Sequence, residues 1–123
     1  MTENHKRKTF LRGLYAERSA ALWLQLKGYH IAARRFDTRY GEIDLIARRG
    51  NTIAIVEVKA RPTLAQAMEA VKEISQRRIE AAATVWLCRQ PDRKKLRLRF
   101  DLVAICPWKL PRHIPAFFVA EDF

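Results

Sequence analysis

Four side chains able to handle a phosphodiester flank a single turn. Glu42 and Asp44 precede Gly50-Asn51, and Glu57 and Lys59 follow it. Residues 41–48 and 52–59 alternate in polarity and are rich in β-branched types, so they read as the strands of a hairpin. With the turn centred between Gly50 and Asn51, opposed residues have numbers that sum to 101. Ile43 then faces Val58, Leu45 faces Val56 and Ala47 faces Ala54, an apolar face that belongs in a core. On the other face Asp44 opposes Glu57, Glu42 opposes Lys59 and Ile46 opposes Ile55. Opposed Cβ atoms stand roughly 4.5–5.5 Å apart, where like charges repel. Two carboxylates held that way call for a cation or a shared proton. Mg2+ or Mn2+ fits, because such ions take oxygen ligands and keep waters for a substrate phosphate. Lys59, next along the same face, can meet charge developing on that phosphate or orient a water. A merely solvated ion-pair cluster is the plainer reading. Ile46, Ile53 and Ile55 share the face and argue against it, while Glu42 is equally suited to pairing with Lys59 alone.

The elements that must hold these residues are legible in outline. In residues 9–27, Thr9 can cap a helix, and Phe10, Leu14, Ala21 and Leu24 fall on one side. Leu11, Tyr15, Leu22 and Leu26 widen that stripe, and Gly28 is a natural stop. Glu17 lies within it beside Gly13, Leu14, Ala20 and Ala21, where a carboxylate is costly without a partner. A helix laid over the hairpin brings Glu17 to the cation through water; solvation beside Arg18 is the alternative. Residues 29–35 read as a strand. Pro62 ends the second hairpin strand, and Thr63 with Gln66 resembles a capping box. Ile79, Ala82, Ala83, Trp86 and Leu87 form a core-facing helical stripe that Pro91 closes. Leu96, Leu98, Phe100 and Leu102 mark a last strand, whose alternation sets Lys95, Arg97 and Arg99 on one side. Trp86 fits the core, and Trp23 and Trp108 read as packing residues.

The order is α-β-β-β-α-β followed by a Pro-rich tail at 107–115, which predicts an α/β fold: a mixed central sheet flanked by helices. Residues 1–8 read as a flexible basic arm, 9–117 as a single domain and 118–123 as a C-terminal tail.

Charge points to a polyanionic partner. Lys and Arg number 24 against 13 Asp and Glu, a formal net charge of +11. Residues 1–39 carry +6, residues 40–83 only +1, and residues 84–123 carry +4, so the acids gather in the middle of a basic chain. That suits nucleic acid, where each neutralised phosphate releases counterions. Cys88 and Cys106 form no CxxC, and His5, His30 and His113 are scattered, which argues against a zinc site or a disulfide framework. No apolar run approaches the roughly 20 residues of a membrane span. Arg12, Glu17 and Arg18 interrupt the stretch where a secretory signal would need to be apolar, so a cytoplasmic location is expected.

Asp44, twelve residues, then Glu57-Val58-Lys59 resembles the PD-(D/E)XK nuclease motif, with Glu17 as the helical acid that often precedes it. Gly41-Glu42-Ile43-Asp44-Leu45-Ile46, Val56-Glu57-Val58-Lys59, Arg99-Phe100-Asp101-Leu102-Val103 and His113-Ile114-Pro115-Ala116-Phe117 together resemble the YraN-like family of uncharacterised bacterial proteins. Gly13, Glu17-Arg18, GEID and EVK are also similar to archaeal Holliday-junction resolvases. The resemblance implies a restriction-endonuclease-like core and an Mg2+- or Mn2+-dependent endonuclease acting on DNA, including branched or otherwise structured DNA. It implies Asp44, Glu57 and the Val58 carbonyl as metal ligands, Lys59 and Glu17 as catalytic partners, and Gln76 as an accessory group, with Glu42 added as an accessory candidate by the hairpin register. Arg34, Arg35, Lys95, Arg97 and Arg99 are the expected nucleic-acid contacts. Arg34-Arg35-Phe36-Asp37 stands where that family has Arg-Asn-x-Arg, and Ser75 where a Lys is common. Relatives of this fold include inactive binding modules, so a non-catalytic nucleic-acid-binding protein is the alternative. A homodimer stays open.

Overall fold

The computed structural model describes residues 3–118, with side chains from residue 12 onward. Helix α1 (Glu3–Leu26) leads into three antiparallel strands, β1 (His30–Thr38), β2 (Gly41–Arg49) and β3 (Thr52–Ala60). Helices α2 (Leu64–Lys72) and α3 (Gln76–Cys88) carry the chain across to β4 (Arg97–Ile105), which pairs parallel to β3. β5 (Arg112–Phe118) closes the sheet antiparallel to β4, giving the order β1-β2-β3-β4-β5. The mixed α/β architecture expected from the sequence is present, with one helix and one strand more. Among the described residues no helix is long and apolar enough to cross a membrane.

Two apolar layers cover the sheet. Ala16, Ala20, Ala21 and Leu24 of α1 pack on Leu45, Ala47, Ala54, Val56 and Val58. Ile79, Ala82, Ala83 and Trp86 of α3 pack on Ile46, Ile53, Ile55 and Phe100. The alanines let α1 approach the sheet closely, and they correct its stripe: Tyr15, Leu22 and Leu26 are exposed. α1 ends where Gly28 adopts φ +91, with the Tyr29 N–H donating to the Leu24 carbonyl and the Gly28 N–H to Gln25. The helix takes in residues assigned to the basic arm, since it begins at Glu3; residues 119–123 of the expected tail lie outside the described ones.

Thr63 caps α2 by accepting from the Gln66 N–H at 3.2 Å, as its spacing predicts. The single helical stretch breaks before Gln76, because Ser75 turns extended to accept from the Arg78 N–H and start α3. β5 falls in the Pro-rich segment read as a tail. Proline is tolerated there because β5 lies at a sheet edge, where its missing donor breaks no ladder.

The hairpin register is the predicted one from Arg49↔Thr52 to Leu45↔Val56, with every pair summing to 101. Beyond Leu45 the ladder stops. β1 pairs Arg34 with Leu45 and Phe36 with Ile43, and between those pairs Arg35 takes φ 48 opposite Asp44. Both strands kink there. Ile43 accordingly joins Ile46, Ile53 and Ile55 on the α3 side, not Leu45 on the α1 side as strict alternation requires.

Candidate metal centre

The kink places the carboxylates. Where β2 leaves β3, the Val58 N–H finds no β2 carbonyl and donates to Asp44 Oδ2 at 2.8 Å. Asp44 also shares a hydrogen bond with Glu57, so the two acids expected as cross-strand neighbours are in contact. They do not meet as a ladder pair on one flat face. Asp44 turns into the gap between the strands, and Glu57 keeps the alternation of Ile53 and Ile55.

Glu57 is buried, and its Oε1 has no hydrogen-bond partner among the described residues. Burial pushes its carboxyl up to about 9, with the Asp44 charge and hydrogen bond acting the same way and Lys59 opposing. Burial raises Asp44 as well, against the Val58 N–H and Glu57, whose hydrogen bonds favour its charged form. Burial and the neighbouring Asp44 charge therefore both favour the protonated form of Glu57. Glu57 Oε1 is the one atom of the pair left with no partner among the described residues, an oxygen chemically able to take a divalent ion.

Two further acids converge. Glu17, Glu42 and Asp44 each offer an oxygen, all within 4.8 Å of one another, close enough to share one cation, whereas Glu57, expected as a ligand, is not in this group and joins it only through Asp44. Glu17 comes from the half-buried edge of the α1 alanine stripe. Glu42, at the exposed rim, is raised by partial desolvation and then by the charges of Asp44 and Glu17. The donors are all oxygen, the set that suits Mg2+ or Mn2+ and not a soft metal. Lys59 is half-buried at the end of β3, and its charge favours the ionised forms of Asp44 and Glu57.

The expected nucleic-acid contacts divide. Arg34 is exposed beside the acids, in a shallow cleft that Glu17, Arg18 and Arg35 also line. Arg35 hydrogen-bonds Glu17 at 2.8 Å through Nε. Lys95 is not on a strand but in a 3-10 turn at Arg93–Lys95, and Arg97 is exposed at the start of β4. Arg99 turns inward to hold Asp101 through Nε and one terminal nitrogen, and it also donates to the Tyr29 hydroxyl. These three basic residues therefore share no common face. Gln76 is exposed in the first turn of α3, one turn ahead of buried Ile79.

Spacing alone missed the partner of Glu17, because Arg35 reaches it only through the left-handed kink. It also missed the second buried acid, Asp101. That carboxylate accepts from Arg99, from the Ala116 N–H at 3.0 Å and from His113 Nε2 at 2.8 Å. The juxtaposition of RFDLV with HIPAF in the resemblance was the available signal.

Residues 16–105 match the model of a family described as uncharacterised protein family UPF0102. A UPF0102 protein of Bartonella henselae is 62% identical over 119 residues, covering 97% of this chain and 94% of its own length. One from Bartonella bacilliformis is 59% identical across 99% of this chain and 100% of its own length. One from Brucella canis is 59% identical across 96% and 94%. The matched span runs from Ala16 on α1 to Ile105 at the end of β4 and so contains every acid of the cluster. This chain belongs to the UPF0102 family.

Proposed function

We propose that this protein is a PD-(D/E)XK-type endonuclease that hydrolyses DNA phosphodiesters with Mg2+ or Mn2+. One observation carries the reading. Half-buried Asp44 and buried Glu57, the latter with an unsatisfied oxygen, meet where β2 and β3 part, and Lys59 follows on the same strand. A fold tolerates buried acids at such a gap when a cation and a substrate complete them.

Asp44, Glu57 and the Val58 carbonyl would hold the cation, with Glu17 and Glu42 closing its other side. When bound, the cation supplies Lewis-acid polarisation and charge neutralisation at the phosphate. Lys59 orients the attacking water in line with the leaving oxygen and meets the charge that builds on a non-bridging oxygen. Arg35, held by Glu17, positions that carboxylate on the rim. Arg34 and Arg97 are exposed and reach for the DNA backbone.

Nicking assays with Mn2+ on linear, nicked, single-stranded and branched DNA test the reading. Cutting of at least one substrate by the wild type, lost in Asp44→Asn, is the expected result. Salt-dependent binding with no cutting of any substrate replaces it with the non-catalytic binding module, a reading that the charge of +11 favours by itself.

A further inference from the structure

We propose that the cleft between α1 and the β4–β5 connection binds a single strand of DNA. Bases stack on Trp108 and Tyr15, and Arg12, Arg61 and Lys109 hold the phosphates. The cleft encloses about 840 Å3 and lies at the end of β3, immediately beyond Lys59. Its aromatic residues are left open by the fold. Trp108 is 104% exposed and Tyr15 70%, although both were expected to pack. Trp108 also holds φ 62, a left-handed conformation that is costly for an aromatic residue and here presents the indole outward.

Charge complementarity selects the occupant. Three of the lining side chains are cationic and no acid is among the described ones. An apolar protein segment gains nothing from three guanidinium and ammonium groups. A nucleic-acid strand uses both features, because aromatic faces take any base and the cations follow the backbone. A duplex has no unstacked base to offer Trp108 or Tyr15, so the cleft distinguishes single strands from paired ones. Position adds to this. Ala60 and Arg61 continue β3 directly from Lys59 into the cleft, and α1 presents Glu17 to the acids while Arg12 and Tyr15 line the cleft.

The inference deepens the nuclease reading and rests on it for one point, that the strand continues toward Lys59. Strand binding itself is independent of cutting. The test is fluorescence anisotropy of a labelled oligothymidylate of about 12 nucleotides, in EDTA, beside a blunt duplex of equal length. Trp108→Ala and Tyr15→Ala are each expected to weaken strand binding about 10-fold and to leave duplex binding within about two-fold, consistent with stacking on one base. Both side chains are exposed, so melting should be unchanged, and Tyr15→Ala carries the test if Trp108→Ala fails to fold. Both variants binding the strand as the wild type does, or losing strand and duplex equally, would overturn the proposal. So would a wild-type dimer that Trp108→Ala converts to a monomer, which would assign the cleft to a second copy. Separate Mn2+ nicking assays keep the two ideas apart: strand binding without cutting removes the nuclease alone, and cutting without aromatic dependence removes the cleft alone.

Discussion

Glu57 sits in a conflict that only a proton or a cation resolves, and that conflict is measurable. Its carboxyl is raised in the fold above an ordinary glutamate value, so the folded protein binds a proton that the unfolded chain releases. The metal-free protein should then hold this group's full contribution below the ordinary carboxylate range and lose it as pH rises towards about 9. Urea melts across that window in EDTA check the slope, and Glu57→Gln should flatten it. The same variant, like Asp44→Asn, is expected to abolish Mn2+ binding in calorimetric titration while leaving the protein folded, since an amide at either position is neutral and keeps a hydrogen-bonding group for its neighbour. Unchanged Mn2+ affinity in either variant would remove the cation from the site. Lys59 is the residue at which binding and cutting should part. It is one of 24 basic residues, so Lys59→Ala should weaken DNA binding no more than a few-fold. Loss of one group that meets charge in the transition state costs roughly 10²–10³ in rate, so nicking with Mn2+ should fall by that much. Equal nicking by Lys59→Ala would clear the lysine of that role.

At the scale of elements, the β2–β3 gap and the β4–β5 staple do different jobs. The gap lies where Arg35 takes φ 48 opposite Asp44 and the β2–β3 ladder ends at Leu45↔Val56, and there the Val58 N–H donates to Asp44. The staple is a buried carboxylate with a full set of donors. Burial works to raise Asp101, but His113, Arg99 and the Ala116 N–H hold it below its usual range. Lys27 Nζ lies 2.6 Å from His113 Nδ1, and since an ammonium only donates, Nε2 carries the hydrogen given to Asp101. β5 therefore docks through one charged group reached from α1's end, β4 and β5 itself. Asp101→Asn should destabilise the protein by roughly 3–5 kcal/mol, because it leaves Arg99 without its counter-charge. Chemical denaturation measures this. Hydrogen exchange should show β5 loosening first, with metal binding at Asp44 and Glu57 intact in the folded fraction. With a depressed folded pKa, this contribution is present above the ordinary aspartate value and lost as pH falls through the folded one.

Across the whole molecule, the net charge of +11 lies mainly outside the acidic middle, so affinity for DNA should come from residues other than the four acids. Binding is expected to fall about 100-fold or more between about 50 and 200 mM salt, as for a protein that neutralises several phosphates. Mutating the acids should leave that slope alone, whereas Arg61→Ala should reduce it by about one phosphate's share. A salt-independent affinity would place recognition elsewhere than on the backbone.

What the sequence determined by itself is local. Alternation and the Gly50-Asn51 turn set the hairpin register through Leu45 and Val56; Gly28 stopped α1; Thr63 capped α2; and the small residues around Glu17 announced an inward-facing acid. These follow from neighbours a few positions apart, whose periodicity is visible in a string. Tertiary structure decided what depends on distant segments. A left-handed Arg35 on β1 ended the ladder, sent Ile43 to the α3 side and moved Asp44 from a flat face into a gap. Arg99 looked like a phosphate contact until Asp101, Tyr29 and the edge strand around it gave it a buried partner. Trp108 read as a packing residue, since nothing in its spacing says that the β4–β5 connection turns it outward. Periodicity assigns a side chain to a face of its own element, but only packing between elements decides what that face meets.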